Sequence, residues 1–239
     1  MNILKLFALS LLLPLLGNAP STSPSPAADI PENYQLLYQQ DFSSPQAIAD
    51  FEMTDASAWK ISGEEEKTLE LFGESEYRSR VRSPFNIALL KHHLFGSFVL
   101  EVDLAQSGRE YGHRDLCLFF GAQSSTNFYY VHIASVADDN ANNIFLVNDE
   151  PRTNIAEKTT SGTDWGETNS WHTARIERDI ESGSIKVYFD DMTSPIMEAT
   201  DTHFDIGRIG FGSFDDTGRF DNIRIWGEKT MPPKTAFFR

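Results

Sequence analysis

Three groups of side chains in this sequence have the types and spacing that chemistry needs. Glu101-Val102-Asp103 sets two carboxylates two residues apart, and an extended strand puts both on one face. Carboxylates about 5 Å apart can cleave a glycosidic bond, one as nucleophile and one as acid/base. The duller alternative is the ordinary polar face of an antiparallel strand. The second group is Arg114 and Asp115 at a strand start, with Tyr129-Tyr130-Val131-His132 on the next strand. Alternation puts Phe128, Tyr130 and His132 on one face and Tyr129 with Val131 on the other. Tyr130 would supply a stacking ring and a hydroxyl, and His132 a donor or a base close to neutral pH. Arg114 and Asp115 could grip vicinal hydroxyls. Sugar recognition needs this mixture of a ring face and paired polar groups. The alternative is that Tyr130 and His132 are satisfied core or surface residues. The third group is Asn148-Asp149-Glu150-Pro151-Arg152 after a strand. Asn148 and Arg152 are candidate substrate ligands, and Arg152 could meet a uronate carboxylate. A plain Asp-Glu-Pro turn is the competing explanation.

Other chemistries are poorly represented. Net charge is −15, which argues against nucleic acid and anionic membrane surfaces as partners. Cys117 is the only cysteine, so no internal disulfide can form. Its strand-like surroundings predict a small buried side chain rather than a reactive thiol. No His/Cys cluster has zinc-like spacing. Nucleophile elbow, phosphate loop and dinucleotide fingerprints are missing.

The elements that would position these groups are strands. Trp59 to Ser62 and Thr68 to Phe72 flank a Gly-Glu-Glu-Glu turn. In Ser97 to Gln106, Phe98, Leu100, Val102 and Leu104 share one face. Asp115 to Ala122 and Phe128 to Ser135 predict a hairpin, and Asn143 to Asn148 a further strand. Trp171 to Arg178 and Ser184 to Asp190 predict a second hairpin, turning at Glu181-Ser182-Gly183. Gly210 to Phe214 and Phe220 to Trp226 read as strand, tight turn and strand, with Asp216-Thr217-Gly218 as the turn. Helical periodicity is weak; Pro45 to Phe51 is the best short helix. The fold class is all-β, an antiparallel β-sandwich.

The two ends of this pattern carry a resemblance. Gln40-Asp41-Phe42-Ser43 near the start and Phe220-Asp221-Asn222-Ile223 near the end resemble the terminal strands of concanavalin A-like jelly rolls. The Trp171-His172 hairpin resembles laminin G-like sandwiches. The resemblance implies that the first and last strands lie side by side, and that the site faces the concave sheet. It also implies a structural calcium, with Asp221 and Asp41 as ligands. The strand from Glu101 nearly matches the E-x-D-x-x-E pattern of laminarinase-type hydrolases, but Gln106 stands where the second glutamate belongs. An amide cannot give and recover a proton, so the match puts a retaining mechanism in doubt. The chain is also similar, more loosely, to the bacterial 3-keto-disaccharide hydrolase domain.

Lys5 followed by the apolar run Leu6 to Leu16 fits a secretory signal. The expected organisation is a signal and start of linker at 1–28, linker at 29–33, jelly roll at 34–227 and an irregular tail at 228–239. The expected protein is secreted or periplasmic, without membrane insertion after signal cleavage, and binds or acts on an oligo- or polysaccharide. Alternatives are a glycoside hydrolase or lyase using His132, Tyr130 and Arg114, and a structural adhesion module.

Overall fold

The computed structural model describes residues 30–233 and 237–238, so the expected signal segment lies outside the described residues. Period-two alternation is the organising signal. The strands are β1 Gln35–Gln40, β2 Phe51–Met53, β3 Trp59–Ser62, β4 Thr68–Leu71, β5 Asn86–Leu90 and β6 Leu94–Phe95. Next come β7 Phe98–Gln106, β8 Asp115–Ser124, β9 Asn127–Ala134, β10 Asn143–Asn148, β11 Thr153–Asn154 and β12 Lys158–Thr159. The last six are β13 His172–Arg178, β14 Ser184–Phe189, β15 Met197–Thr200, β16 Arg208–Ser213, β17 Gly218–Gly227 and β18 Thr230–Met231. Pro45–Asp50 forms a 3-10 turn capped by Ser44.

Among the described residues, two large antiparallel sheets face each other. A nine-stranded sheet runs β12-β15-β14-β13-β7-β17-β4-β3, with β1 also on β17. A seven-stranded sheet runs β11-β10-β9-β8-β16-β5-β2. Leu100, Val102, Leu104, Phe220, Ile223 and Ile225 of the first meet Leu118, Phe120, Val131, Ile209 and Phe211 of the second in one buried core. The terminal strands do lie side by side, with Gln35 opposite Gly227 and Gln40 opposite Ile223.

The stretch expected to form strand, turn and strand does form them, and its two strands lie in different sheets. β16 pairs with β8 and β5, whereas β17 pairs with β7, β4 and β1. Phe211 and Phe220 face each other across the core, ring centroids 5.6 Å apart. A hairpin would have put both strands in one sheet and left one of these rings without its partner. The tail departs from expectation: Thr230 and Met231 pair with Phe95 and Leu94.

The seven-stranded sheet is apolar on its outer face as well. Ile87, Leu89, Cys117, Phe119, Phe128, Tyr130, Phe145 and Val147 form a second buried cluster there. Val81 from the connection between β4 and β5, together with Phe237 and Phe238, packs over it. That connection is pinned across the sheet by Arg80 to Asp149 (2.6 Å) and by the Arg152 N–H to Arg82 O (3.0 Å).

The outer face of the nine-stranded sheet is charged instead. Arg175 donates to Glu101 Oε1 through Nη2 (2.6 Å) and Nε (3.1 Å), and Arg224 Nη2 donates to Oε2 (2.9 Å). Glu101 and Arg175 are both buried. Glu101 thus ties β7 to β13 and β17. Removing one partner from a buried ion pair leaves the other uncompensated, which costs about 3–5 kcal/mol. Glu101→Leu is expected to lower the thermal midpoint by about 6–20 °C, at roughly 2–4 °C per kcal/mol for a chain of this size. A change within 2 °C would show that the cluster does not hold the sheet.

Candidate functional site

β8, β9 and β10 lie next to one another, which sets the residues in rows across the outer face of the seven-stranded sheet. Cys117, His132 and Asn143 form one row; Phe119, Tyr130 and Phe145 form the next. After β10 the chain turns at Asp149, a left-handed residue with φ 58°. This brings Arg152 back over the sheet. Its guanidinium lies 4.7 Å from the Phe145 ring centre and 4.6 Å from that of Phe214. Nη1 donates to the Tyr130 hydroxyl (2.7 Å) and Nη2 to Asn140 O (2.9 Å). A cation held between two rings and fixed by two hydrogen bonds is preorganised.

Tyr130 and His132 share a face, as alternation requires, but neither is open to a ligand: their exposures are 0% and 4%. Tyr130 stacks on Phe145 with centroids 5.0 Å apart and planes at 16°. The ring at the surface is the half-buried Phe214, which lies 6.4 Å from the His132 ring. The stacking surface expected of Tyr130 is therefore occupied from within the protein.

His132 is also not a base near neutral pH. Burial, reinforced by Arg152 and His113, holds its pKa down at about 3. The Asn142 backbone N–H approaches Nδ1 at 3.4 Å. A backbone N–H can only donate, so Nδ1 accepts and the neutral ring carries its proton on Nε2. Nε2 in turn faces Asp115 Oδ2 at 3.5 Å.

Asp115 is fully buried. Its Oδ2 accepts from the Phe214 N–H (2.9 Å) and the Cys117 thiol (3.1 Å), while Oδ1 has no partner among the described residues. Burial pushes its carboxyl well above the usual range; Phe214 and Cys117 oppose this, and Asp216 and Asp215 add to it. The Asp115 N–H and the Tyr111 hydroxyl both donate to Asp216 Oδ2, at 3.0 and 2.6 Å. Asp215 is exposed beside them. Burial, Asp216 and Glu74 raise its pKa, and Arg109 and Arg152 pull it back.

The remaining candidates lie elsewhere. Arg114 is buried and braces a loop, donating to Gly166 O (2.6 Å) and Ser135 Oγ (3.1 Å). Asn148 is exposed at the far end of β10 opposite Asn127, five residues from the Asn143 that faces His132. Asp41 and Asp221 belong to the other sheet's side. Asp41 accepts from the Ser43 N–H, and Asp221 sits opposite Asp103. Burial, Asp103, Asp41 and Glu66 push Asp221 up to about 6.

Two sets of three ligand-type residues come within 4.8 Å among the described residues: Asp115, Cys117 and His132, and Asp115, Asp215 and Asp216. Neither includes Asp41 or Asp221. The first set is poorly disposed toward zinc. His132 Nε2 is a donor, and burial and Asp115 push the Cys117 thiol up, whereas zinc takes thiolate and an unprotonated nitrogen. The second set offers the oxygen chemistry of hard cations. In the sequence Phe214 reads as a strand end, and Asp215 and Asp216 only as calcium ligands secondary to Asp221 and Asp41.

No protein family and no curated protein sequence matches the chain. Solved structures do. The carbohydrate-binding module CBM66 from Bacillus subtilis superposes with a TM-score of 0.52 at 20% identity, over 73% of this chain and 93% of that one. A galectin-like-fold protein of unknown function from the same organism gives 0.55 at 14% identity, over 80% and 97%. The winged bean acidic lectin, complexed with methyl-α-D-galactose, gives 0.53 at 9% identity, over 84% and 100%. The fold is the concanavalin A-like jelly roll. Among the described residues, no helix is long and apolar enough to cross a membrane.

The folded His132 ring resists a proton that the unfolded ring accepts near 6.5. Its contribution to stability is therefore lost as pH falls from about 6.5 toward 3. The His132 Cε1–H resonance is expected to stay at its neutral position from pH 8 to 4. A titration midpoint near 6.5 would instead identify an accessible base.

Proposed function

We propose that this protein is an exported, non-catalytic carbohydrate-recognising jelly roll. Its ligand contacts are Arg152, Asp215 and the edge of Phe214. The observation that carries this reading is Arg152. Its guanidinium is fixed by Tyr130 and Asn140 between Phe145 and Phe214. Asp215 is exposed and close enough to feel that charge. A fixed donor fork, an acceptor and an apolar ring edge are the groups that vicinal hydroxyls and C–H surfaces require. Tyr130, His132 and Asp115 serve beneath as positioning residues. Arg114 and Asn148 take no part.

The enzyme alternative is disfavoured by the state of its base. General acid–base work needs a group near the operating pH and within reach of the substrate. His132 titrates at about 3 and is buried. Export is supported by the apolar run from Leu6 to Leu16. The adhesion alternative has no particular observation in its favour.

A panel of oligosaccharides, neutral and uronate-bearing, assayed for binding and for product release tests the reading. Binding without release is expected. Asp215→Asn and Arg152→Lys should each weaken binding at least tenfold with the thermal midpoint held within a few degrees. Product release by the unmutated chain would show that it is an enzyme, and unchanged affinity in both variants would remove the site.

A structural calcium at Asp221 and Asp41 is a second part of the proposal. It is supported by the like charge that Asp103, Asp41 and Glu66 concentrate on Asp221. Calcium at about 1 mM, a concentration suited to extracellular sites, is expected to raise the thermal midpoint, and Asp221→Asn to abolish the rise. No rise in the unmutated chain would overturn it.

A further inference from the structure

The far end of the seven-stranded sheet holds a different kind of site. Glu52 lies on β2, the sheet's edge strand, opposite Leu89 of β5. One of its carboxylate oxygens, Oε1, accepts from two successive backbone N–H groups, those of Phe237 (2.7 Å) and Phe238 (2.8 Å). The other, Oε2, accepts from Arg208 Nη1 at 2.6 Å. Arg208 is buried, and its guanidinium lies 5.4 Å from the Phe237 ring centre. Phe238 meets Tyr77 edge to face at 5.8 Å, and both phenylalanines pack on the outer apolar cluster. Burial pushes the Glu52 carboxyl up, but the Arg208 hydrogen bond and the N–H groups of Phe238 and Phe237 outweigh it and carry the pKa below the ordinary value.

Two consecutive N–H groups converging on one carboxylate form an anion nest. Here the nest belongs to the segment being held, and the carboxylate belongs to the sheet. Each such bond is charge-assisted and short. Recognition uses the backbone of two residues and the rings of both.

We infer that Glu52, Arg208 and Tyr77 form a peptide-binding site for a segment with two adjacent phenylalanines. This chain's own Phe237–Phe238 is its resident ligand. The site lies apart from Arg152 and Asp215 and does not depend on the carbohydrate reading. Because the ligand is tethered, it competes with the same segment supplied free. The apparent affinity for a free peptide is lowered by the fraction of sites the tether occupies.

Two measurements test the inference. In the unmodified chain, hydrogen exchange at the Phe237 and Phe238 amides should be slowed at least tenfold relative to the free peptide PPKTAFFR. That peptide, fluorescently labelled, should bind a Phe237→Ser/Phe238→Ser chain at least tenfold more tightly than the unmodified chain. Adding Glu52→Gln to the double variant should weaken binding at least fivefold. Exchange at the free-peptide rate would overturn the inference without requiring any variant to fold. So would a labelled peptide that binds none of the chains, or binds all three alike.

Discussion

A sheet that is apolar on both faces must be covered on both, and this requirement governs the architecture. The inner face of the seven-stranded sheet is covered by its partner. The outer face carries Phe119, Phe128, Tyr130 and Phe145, all buried. Leaving a side chain of this size wet costs about 1.5–3 kcal/mol, so four of them represent a large part of a typical net stability. The chain supplies the cover from the β4–β5 connection and from Phe237–Phe238. What the cover leaves open is polar: Arg152 leaves the aromatic layer between Phe145 and Phe214, and Asp215 stands beside it.

Buried charge is handled in opposite ways around Glu101 and around His132. On the nine-stranded side, Glu101 is met by Arg175 and Arg224, so each buried charge has a counterion. On the seven-stranded side, His132 and Asp115 have no such compensation. Burial drives the imidazole pKa down and the carboxyl pKa up, so both groups favour their neutral forms. The first arrangement fastens strands together. The second removes proton-transfer capacity from the place where alternation alone suggests a catalytic histidine.

Much of the fold was legible from local pattern. The two faces of β7 and β9, the hairpins, and the adjacency of the terminal strands follow from alternation and from the motifs at the two ends. What was not legible depends on long-range packing. Asp216-Thr217-Gly218 has the same turn chemistry whether the strands it joins share a sheet or not; the Phe211–Phe220 contact decides. The β4–β5 connection has no periodicity, so nothing local revealed that its Val81 packs on the outer cluster. Arg114 precedes its strand, and alternation does not specify which loop its side chain braces. Arg152 was identifiable by type. Phe214 and Asp215 were not, because their role comes from where the crossing between sheets puts them.

One feature of the covered face bears on handling the protein. Cys117 lies in the outer cluster, fully buried, its thiol hydrogen-bonded to Asp115 and its ionisation suppressed. Mixed disulfides and covalent dimers need a thiolate at the surface. In an oxidising medium this sulfhydryl therefore stays inert while the cover is closed. Its alkylation rate becomes a clock for how often that layer lifts away, readable in the unaltered chain because no second sulfhydryl competes for the reagent.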